Sequence, residues 1–373
     1  MNKDISMNYR NGNTTDSLPR QMKCLASVLL TLFLLTFRAA ADDQAKSKGW
    51  RSAWIGTKNL DTVLKAAKEL EFNAVIAHGN GGTLKEFIGK AKAAGLESYW
   101  WFSPVAPTGA VGSFRQQMSA AEMDILRKQS DLAKAKKLWG IGRYQCGGEP
   151  LPGTKEVLKN QMPCFHRPEV VSATKAAVSK VLEENPELTG IALDMFGYQN
   201  YSGCVCPASL SALEAYRASH PGTDNKKLKD EFYLNSLVSF QNEICNHART
   251  IRPDVKTTVH VWPTFLPEPV YGNRLDLDYC CQTVAWFFKP YWSDAKIAEY
   301  TRVVVREARK YNKRQKGIPF IGYNKDKGVE RLVHELRIIM ANNPDRDLSI
   351  YVFEDVVNDP KALAAVRKFL LNQ

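Results

Sequence analysis

The sequence predicts an α/β chain folded as a (β/α)8 TIM barrel with long inserted loops at the C-terminal face. Three observations predict it. From Gly49 onward, eight segments alternate strand-like and helix-like patterning. No linker or change of composition divides them. And no Gly-rich phosphate turn follows the first strand, as a doubly wound dinucleotide fold would favour. At 373 residues the chain has room for one barrel with insertions or for two ordinary domains; eight strand–helix units with no linker between them select the barrel.

The elements follow in order. Trp50–Ile55 is strand-like, and Leu60, Val63, Leu64, Ala67 and Leu70 recur at helical spacing after it. Asn73–His78 is the second strand. Its helix carries Leu84, Phe87, Ile88, Ala91 and Ala94 and stops at Gly95, a C-cap residue. Gly79-Asn80-Gly81-Gly82, between them, reads as a turn and only weakly matches a phosphate loop. Leu96–Phe102 is the third strand. Trp100 and Trp101 are neighbours on it, so one faces the core and the other the opposite side.

Residues 103–167 break the rhythm with several prolines and glycines, and read as a long loop with one helix near 119–138. Loops of this length inside a domain are usually functional. A helix at 168–184 and the strand Thr189–Asp194 follow, then helices near 207–219 and 226–251 and a strand at 256–262. Strand Gln282–Phe287 leads to a helix capped by Ser293. Strand Ile318–Tyr323 leads to a helix at 327–341. Strand Leu348–Phe353 leads to a last helix that opens at Asp359-Pro360, with Asp as cap and Pro in the first turn.

Composition excludes several classes. Hydrophobic residues at 44% and charged residues at 24% are those of a globular protein, not of a disordered or collagen-like chain. The formal charge is +12. The basic residues are scattered along helix-like segments, and no nucleic-acid-binding module accompanies them, so no nucleic-acid partner is expected.

Residues 1–41 are set apart as an N-terminal extension and signal peptide, leaving 42–373 as the barrel. Met22-Lys23 precedes an apolar run of 14 residues, Cys24–Phe37, and then Arg38 and three alanines. That is the order of a secretory signal cleaved near Ala41. The run is shorter than the roughly 20 residues that span a bilayer, although an uncleaved anchor is the competing reading. The polar residues before Met22 suggest that translation starts there rather than at Met1. The expectation is an exported protein, periplasmic or extracellular, with no stable membrane insertion. Its mature chain has 46 basic and 37 acidic residues, a net +9.

Seven cysteines remain after Cys24 is removed: Cys146, Cys164, Cys204, Cys206, Cys245, Cys280 and Cys281. Export permits disulfides, and an odd count leaves one thiol over. Cys146 and Cys164 bracket a loop and are the best candidate pair. Cys204-Val205-Cys206 has too short a spacing for an ordinary zinc knuckle, so pairing or burial is favoured over metal.

Barrel active sites lie at the C-terminal strand ends, and the strongest segment there is Gly190-Ile191-Ala192-Leu193-Asp194-Met195-Phe196-Gly197-Tyr198. An apolar strand that delivers a carboxylate among aromatics suits a sugar: rings pack on its apolar face, and the anomeric carbon needs a carboxylate nearby. The competing reading makes Asp194 a cap or a partner for a lysine. Glycoside hydrolysis ordinarily needs two carboxylates. Glu354, closing the eighth strand, is the best-placed second, with Asp194 as nucleophile or base and Glu354 as general acid. Glu149 and Glu268 are the alternatives, and Asp326 is weaker. His78, Trp101, Tyr198, His260, Trp262, Trp286, Tyr323 and Asn324 are the candidate substrate contacts, each with core packing as its competing role.

Metal chemistry has little to stand on here. His78 and His260 are a thin ligand set, with no His-x-His or His-Glu-x-x-His in the chain; a metal-dependent hydrolase or deacetylase with Asp194 as third ligand is the alternative. No Gly-x-Ser-x-Gly elbow is present. No metal and no cofactor are expected.

The fourth strand, of the form Gly-(apolar)3-Asp-x-x-x-Tyr from Gly190 to Tyr198, resembles that of a loosely defined group of bacterial glycoside-hydrolase-like TIM barrels. So does the element Pro163-Cys164-Phe165-His166-Arg167-Pro168-Glu169-Val170 before the following helix. The resemblance implies sugar chemistry: an exported glycoside hydrolase acting on poly- or oligosaccharide, or a barrel that binds carbohydrate without cleaving it. Met195-Phe196-Gly197 departs from the pattern, which often has a basic residue at that point, and leaves the sugar open.

Overall fold

The computed structural model describes residues 49–103, 114–121, 162–198, 200–262, 264–286 and 291–371. The signal segment, Cys146, Glu149 and most of the helix expected at 119–138 lie outside them. Eight parallel strands close into a barrel in chain order: β1 Arg51–Ile55, β2 Ala74–Ala77, β3 Glu97–Phe102, β4 Gly190–Leu193, β5 Lys256–His260, β6 Tyr279–Ala285, β7 Lys316–Gly322 and β8 Leu348–Tyr351. The eighth strand pairs back onto the first, with Ser52 opposite Ser349. All eight expected strands are present, with ends differing by a few residues; β6 begins earlier, at Tyr279.

The helices are α1 Leu60–Glu69, α2 Gly81–Ala94, α3 Pro168–Glu184, α4 Pro207–Ala218, α5 Asn225–Ile251, α6 Asp294–Glu307, α7 Val329–Ala341, α8 Phe353–Val357 and α9 Pro360–Leu371. Their ends follow local chemistry. Gly95 closes α2 with a left-handed φ of 73°, which costs glycine nothing. The Ser293 hydroxyl accepts from the Lys296 N–H at 3.3 Å at the start of α6. Asp359 Oδ1 accepts from the Lys361 and Ala362 N–H groups at 3.0 and 3.2 Å ahead of Pro360. Each supplies an acceptor to otherwise unpaired first-turn donors.

The strands' two faces serve different cores. Outward residues such as Val75, Ile191 and Val259 are buried against the helix ring. Inward residues plug the barrel in layers. Ser52 and Ser349 share a hydrogen bond of 2.8 Å, and the Trp54 indole N–H donates to Ser349 Oγ at 3.0 Å. Above them Trp54, Trp101, His260 and Phe320 pack ring against ring, with Trp54 edge-on to Trp101 at 5.1 Å and His260 stacked on Phe320 at 4.0 Å. This top layer forms the floor of the mouth at the strand C-termini.

Candidate functional site

Asp194 leaves β4 one residue beyond the last paired position, where Leu193 lies opposite Val259 of β5. That step places it beside His260, the last residue of β5. Its side chain is 8% exposed. Oδ1 lies 3.1 Å from His260 Nδ1 and accepts the Met195 N–H at 2.8 Å, while Oδ2 accepts the Trp101 indole N–H at 2.9 Å. Neighbouring strands thus grip both oxygens, and hydrogen bonds to a charged acceptor of this kind contribute about 1.5–3 kcal/mol each. The main chain turns sharply here: Met195 has a left-handed φ of 62°. For a side chain without a short polar group that conformation is strained, and such strain gathers at functional positions.

His260 is equally constrained. Its second nitrogen, Nε2, lies 3.2 Å from the Thr283 hydroxyl of β6, so Asp194, His260 and Thr283 form one hydrogen-bonded chain across three adjacent strands. Sequence reading selected Asp194 and His260 separately and passed over Thr283. It also passed over Tyr351, whose ring stands edge-on to Trp101 at 5.6 Å. Strand alternation from Ser349 would have marked Tyr351 as inward-facing.

His78 lies on the open side of the mouth, exposed and stacked on Trp101 at 3.7 Å, with Nδ1 3.0 Å from the Trp101 carbonyl. Desolvation on the stacked side pushes its pKa below the usual histidine value. Trp101 is the mouth-facing member of the tryptophan pair. Trp100 points the other way, stacks on Phe102 at 4.6 Å and donates to the Gly79 carbonyl. Trp262 is half-buried and stacks on Trp286 at 5.2 Å. Beside it is a small hollow lined by Trp262, Thr264, Gln282 and Thr283 among others.

Other expected contacts are inside the packing. Tyr198 is 1% exposed and its hydroxyl donates to the Tyr233 carbonyl at 3.0 Å. Trp286 is wholly buried. Tyr323 is 1% exposed and donates to Asp359 Oδ2 at 2.7 Å. Asn324 Oδ1 accepts the Lys327 N–H at 2.9 Å, holding the loop after β7.

The carboxylates separate clearly. Glu268 makes a two-pronged pair with Arg274, at 2.5 and 2.7 Å. Glu149 is outside the described residues. Glu354 sits on α8, immediately beyond β8, at the same end of the barrel as Asp194. Its Oε1 accepts the N–H of Gly56, the residue after β1, and a Cβ added at Gly56 would stand 2.8 Å from that oxygen. Among the described residues Oε2 is buried with no hydrogen-bond partner. Burial pushes the Glu354 carboxyl above its ordinary pKa, and neighbouring Asp355 adds to the rise.

Among the described residues His78, His260 and Asp194 do not converge as a three-ligand metal set; Cys164, Cys204 and Cys206 do. No disulfide forms among the described cysteines. Of the expected Cys146–Cys164 pair, Cys164 is found packed against Cys206, and Cys146 lies outside the described residues.

No family model and no curated protein matches the sequence. Solved structures do match. A β-galactosidase from the psychrophilic Marinomonas ef1 superposes with a TM-score of 0.54 at 8% identity, over 86% of this chain and 59% of that one. A β-galactosidase from Bacillus circulans sp. alkalophilus gives 0.45 at 11% identity, over 82% and 50%. Eubacterium rectale Amy13B gives 0.44 at 11% identity, over 83% and 66%. The chain therefore spans between half and two thirds of these proteins' lengths. The likeness to the first is one of fold alone.

Proposed function

We propose that this chain is an exported glycoside hydrolase acting on poly- or oligosaccharide at the barrel mouth. The observation that carries the reading is Asp194: a buried carboxylate at a strand end, with both oxygens held by hydrogen bonds and tryptophan and histidine rings around it. A sugar ring laid on His78 and Trp262 would bring its anomeric carbon over a carboxylate that needs no reorganisation. His260, backed by Thr283, would hold Asp194 in place.

Glu354 fits the second role. A general acid must keep its proton near neutral pH, and burial of the carboxyl favours the protonated form. With Oε1 occupied by the Gly56 N–H, the proton belongs on Oε2. Glu268, neutralised by Arg274, is a poor competitor. A barrel that binds carbohydrate without cleaving it is the second reading, favoured by the burial of Glu354 Oε2. The leader expected at 22–41 supports export, and no described helix is long and apolar enough to cross a membrane.

The test is to present the mature chain with a polysaccharide panel and measure both retention and reducing-end release. Release supports the hydrolase. Retention without release selects the binding barrel. Neither, on a folded protein, refutes the carbohydrate assignment.

A further inference from the structure

Beyond the C-terminal ends of β3 and β4, the loop before α3 meets the loop before α4. Cys164 Sγ lies 3.3 Å from Cys206 Sγ and 4.0 Å from Cys204 Sγ, and all three sulfurs fall within 4.8 Å of one another. His166 Nδ1 stands 3.9 Å from Cys164 Sγ. We propose that Cys164, Cys204, Cys206 and His166 form a structural zinc site. Nothing in this inference depends on the reading of Asp194.

The three sulfurs mark one face of a coordination tetrahedron, and His166 is the nitrogen donor beside Cys164. With Zn–S near 2.3 Å and Zn–N near 2.0–2.1 Å, tetrahedral coordination sets sulfurs about 3.8 Å apart and sulfur to nitrogen about 3.6 Å apart. The Cys164 sulfur lies 3.3 and 4.0 Å from the other two, on either side of the first value, and 3.9 Å from His166 Nδ1, somewhat longer than the second. Two chelating pairs supply the ligands, Cys164-Phe165-His166 and Cys204-Val205-Cys206, and the fold brings them together from 40 residues apart.

Two further features point to a bound cation rather than to a chance cluster of thiols. The backbone N–H groups of Gln117 and Cys206 both donate to Cys204 Sγ, at 3.3 and 3.4 Å, which is the environment of a thiolate. All three cysteines are buried, and three sulfurs cannot be satisfied by one disulfide. The imidazole is stacked on Phe232 at 5.0 Å; its Nδ1 lies 2.8 Å from the buried Ser209 hydroxyl, which also reaches the Cys164 and Cys206 sulfurs at 3.2 and 3.4 Å, and coordination would replace that hydrogen bond.

Thiolate and imidazole donors in a four-fold set select Zn2+ over hard cations. On binding, the thiols release their protons to solvent and the histidine stays neutral. Four protein ligands leave no open position, so the site would serve the structure and not the reaction. It would fasten the segment ending β3's long loop to the loop that follows β4, the strand bearing Asp194. Gln116 already bridges the two, donating to the carbonyls of Pro163 and Gly197 at 3.0 and 2.9 Å.

The full chain, purified under reducing conditions and incubated with Zn2+, is expected to retain one zinc per molecule after dialysis. Cys204→Ser should lose it, and Cys245→Ser, altered in a buried cysteine on α5, should keep it. Should Cys204→Ser fail to fold, Co2+ substituted into the unaltered chain should show thiolate-to-cobalt charge transfer and tetrahedral d–d bands. A folded chain that retains no zinc and gives no such cobalt spectrum overturns the proposal. So does peptide mapping that finds Cys164 and Cys206 joined as a disulfide in the native protein.

Discussion

His260 Nδ1 and Asp194 Oδ1 stand 3.1 Å apart at the ends of adjacent strands, and both side chains are all but closed to solvent. Their partners, Trp101 and Thr283, come from the strands on either side. Four neighbouring strands, β3 to β6, thus converge on one carboxylate. His260→Gln keeps an amide within reach of Asp194 and should preserve part of any activity. His260→Ala should remove the contact and leave Asp194 underpaired, costing about 1–3 kcal/mol of stability. Thermal unfolding and kcat/KM of the two variants check this.

Glu354 as general acid makes a prediction about leaving groups. Glu354→Gln should slow cleavage of natural glycosides by roughly 10²–10⁴-fold, and much less for aryl glycosides whose leaving group needs no proton. Because the acid must be protonated, activity should fall as pH rises through the raised Glu354 pKa, and Glu354→Gln should lose that limb. Equal loss on both substrate types would assign Glu354 to structure alone.

Asp347 gives a pH dependence of stability independent of function. Burial raises its pKa to about 6, against the opposing pull of Lys316 and the Trp50 N–H. The folded state then binds the proton more tightly than the unfolded one, so this carboxyl opposes folding at pH above 6. Its contribution becomes more favourable as pH falls from about 6 towards the ordinary aspartate value of 3.8. Asp347→Asn should flatten that part of the profile in denaturation measured between pH 4 and 8.

Lys327 and Glu335 form a wholly buried pair, Nζ to Oε2 at 2.5 Å, with Arg331 Nε a further 2.7 Å from Oε1. Lys327 also donates to the carbonyl of Gly322, the end of β7. Lys327→Met should cost about 3–5 kcal/mol by leaving Glu335 short of a counter-charge, and adding Glu335→Leu should restore much of it. Denaturant midpoints of the single and double variants decide the point.

The architecture was legible because each barrel unit writes its own local signal: an apolar run, a turn, then a helical stripe. Asp194 was legible for a related reason, as the first polar side chain after the buried run Gly190–Leu193. Alternation along β3 separated Trp101 from Trp100. What depended on closure was not legible. That His260 would meet Asp194 follows from the β4–β5 register, which no local pattern reveals. The Arg274 that occupies Glu268, and the aspartate that engages Tyr323, are likewise known only once the loops are placed. The cysteine cluster was hidden by spacing: Cys204-x-Cys206 is too short for an ordinary knuckle, and Cys164, 40 residues away, joins it only in three dimensions. The buried Lys327 carries no sequence mark, since its loop reads as an ordinary charged turn.

The most direct measurement is reducing-end release from a polysaccharide panel by the mature native chain and by Asp194→Asn, side by side. Asparagine keeps an acceptor for the Trp101 N–H, so the variant should fold and bind. The account predicts release by the native chain and a loss of about 10²–10⁴-fold or more in the variant, with sugar retention unchanged. Release that survives the substitution would contradict it and move the chemistry away from β4.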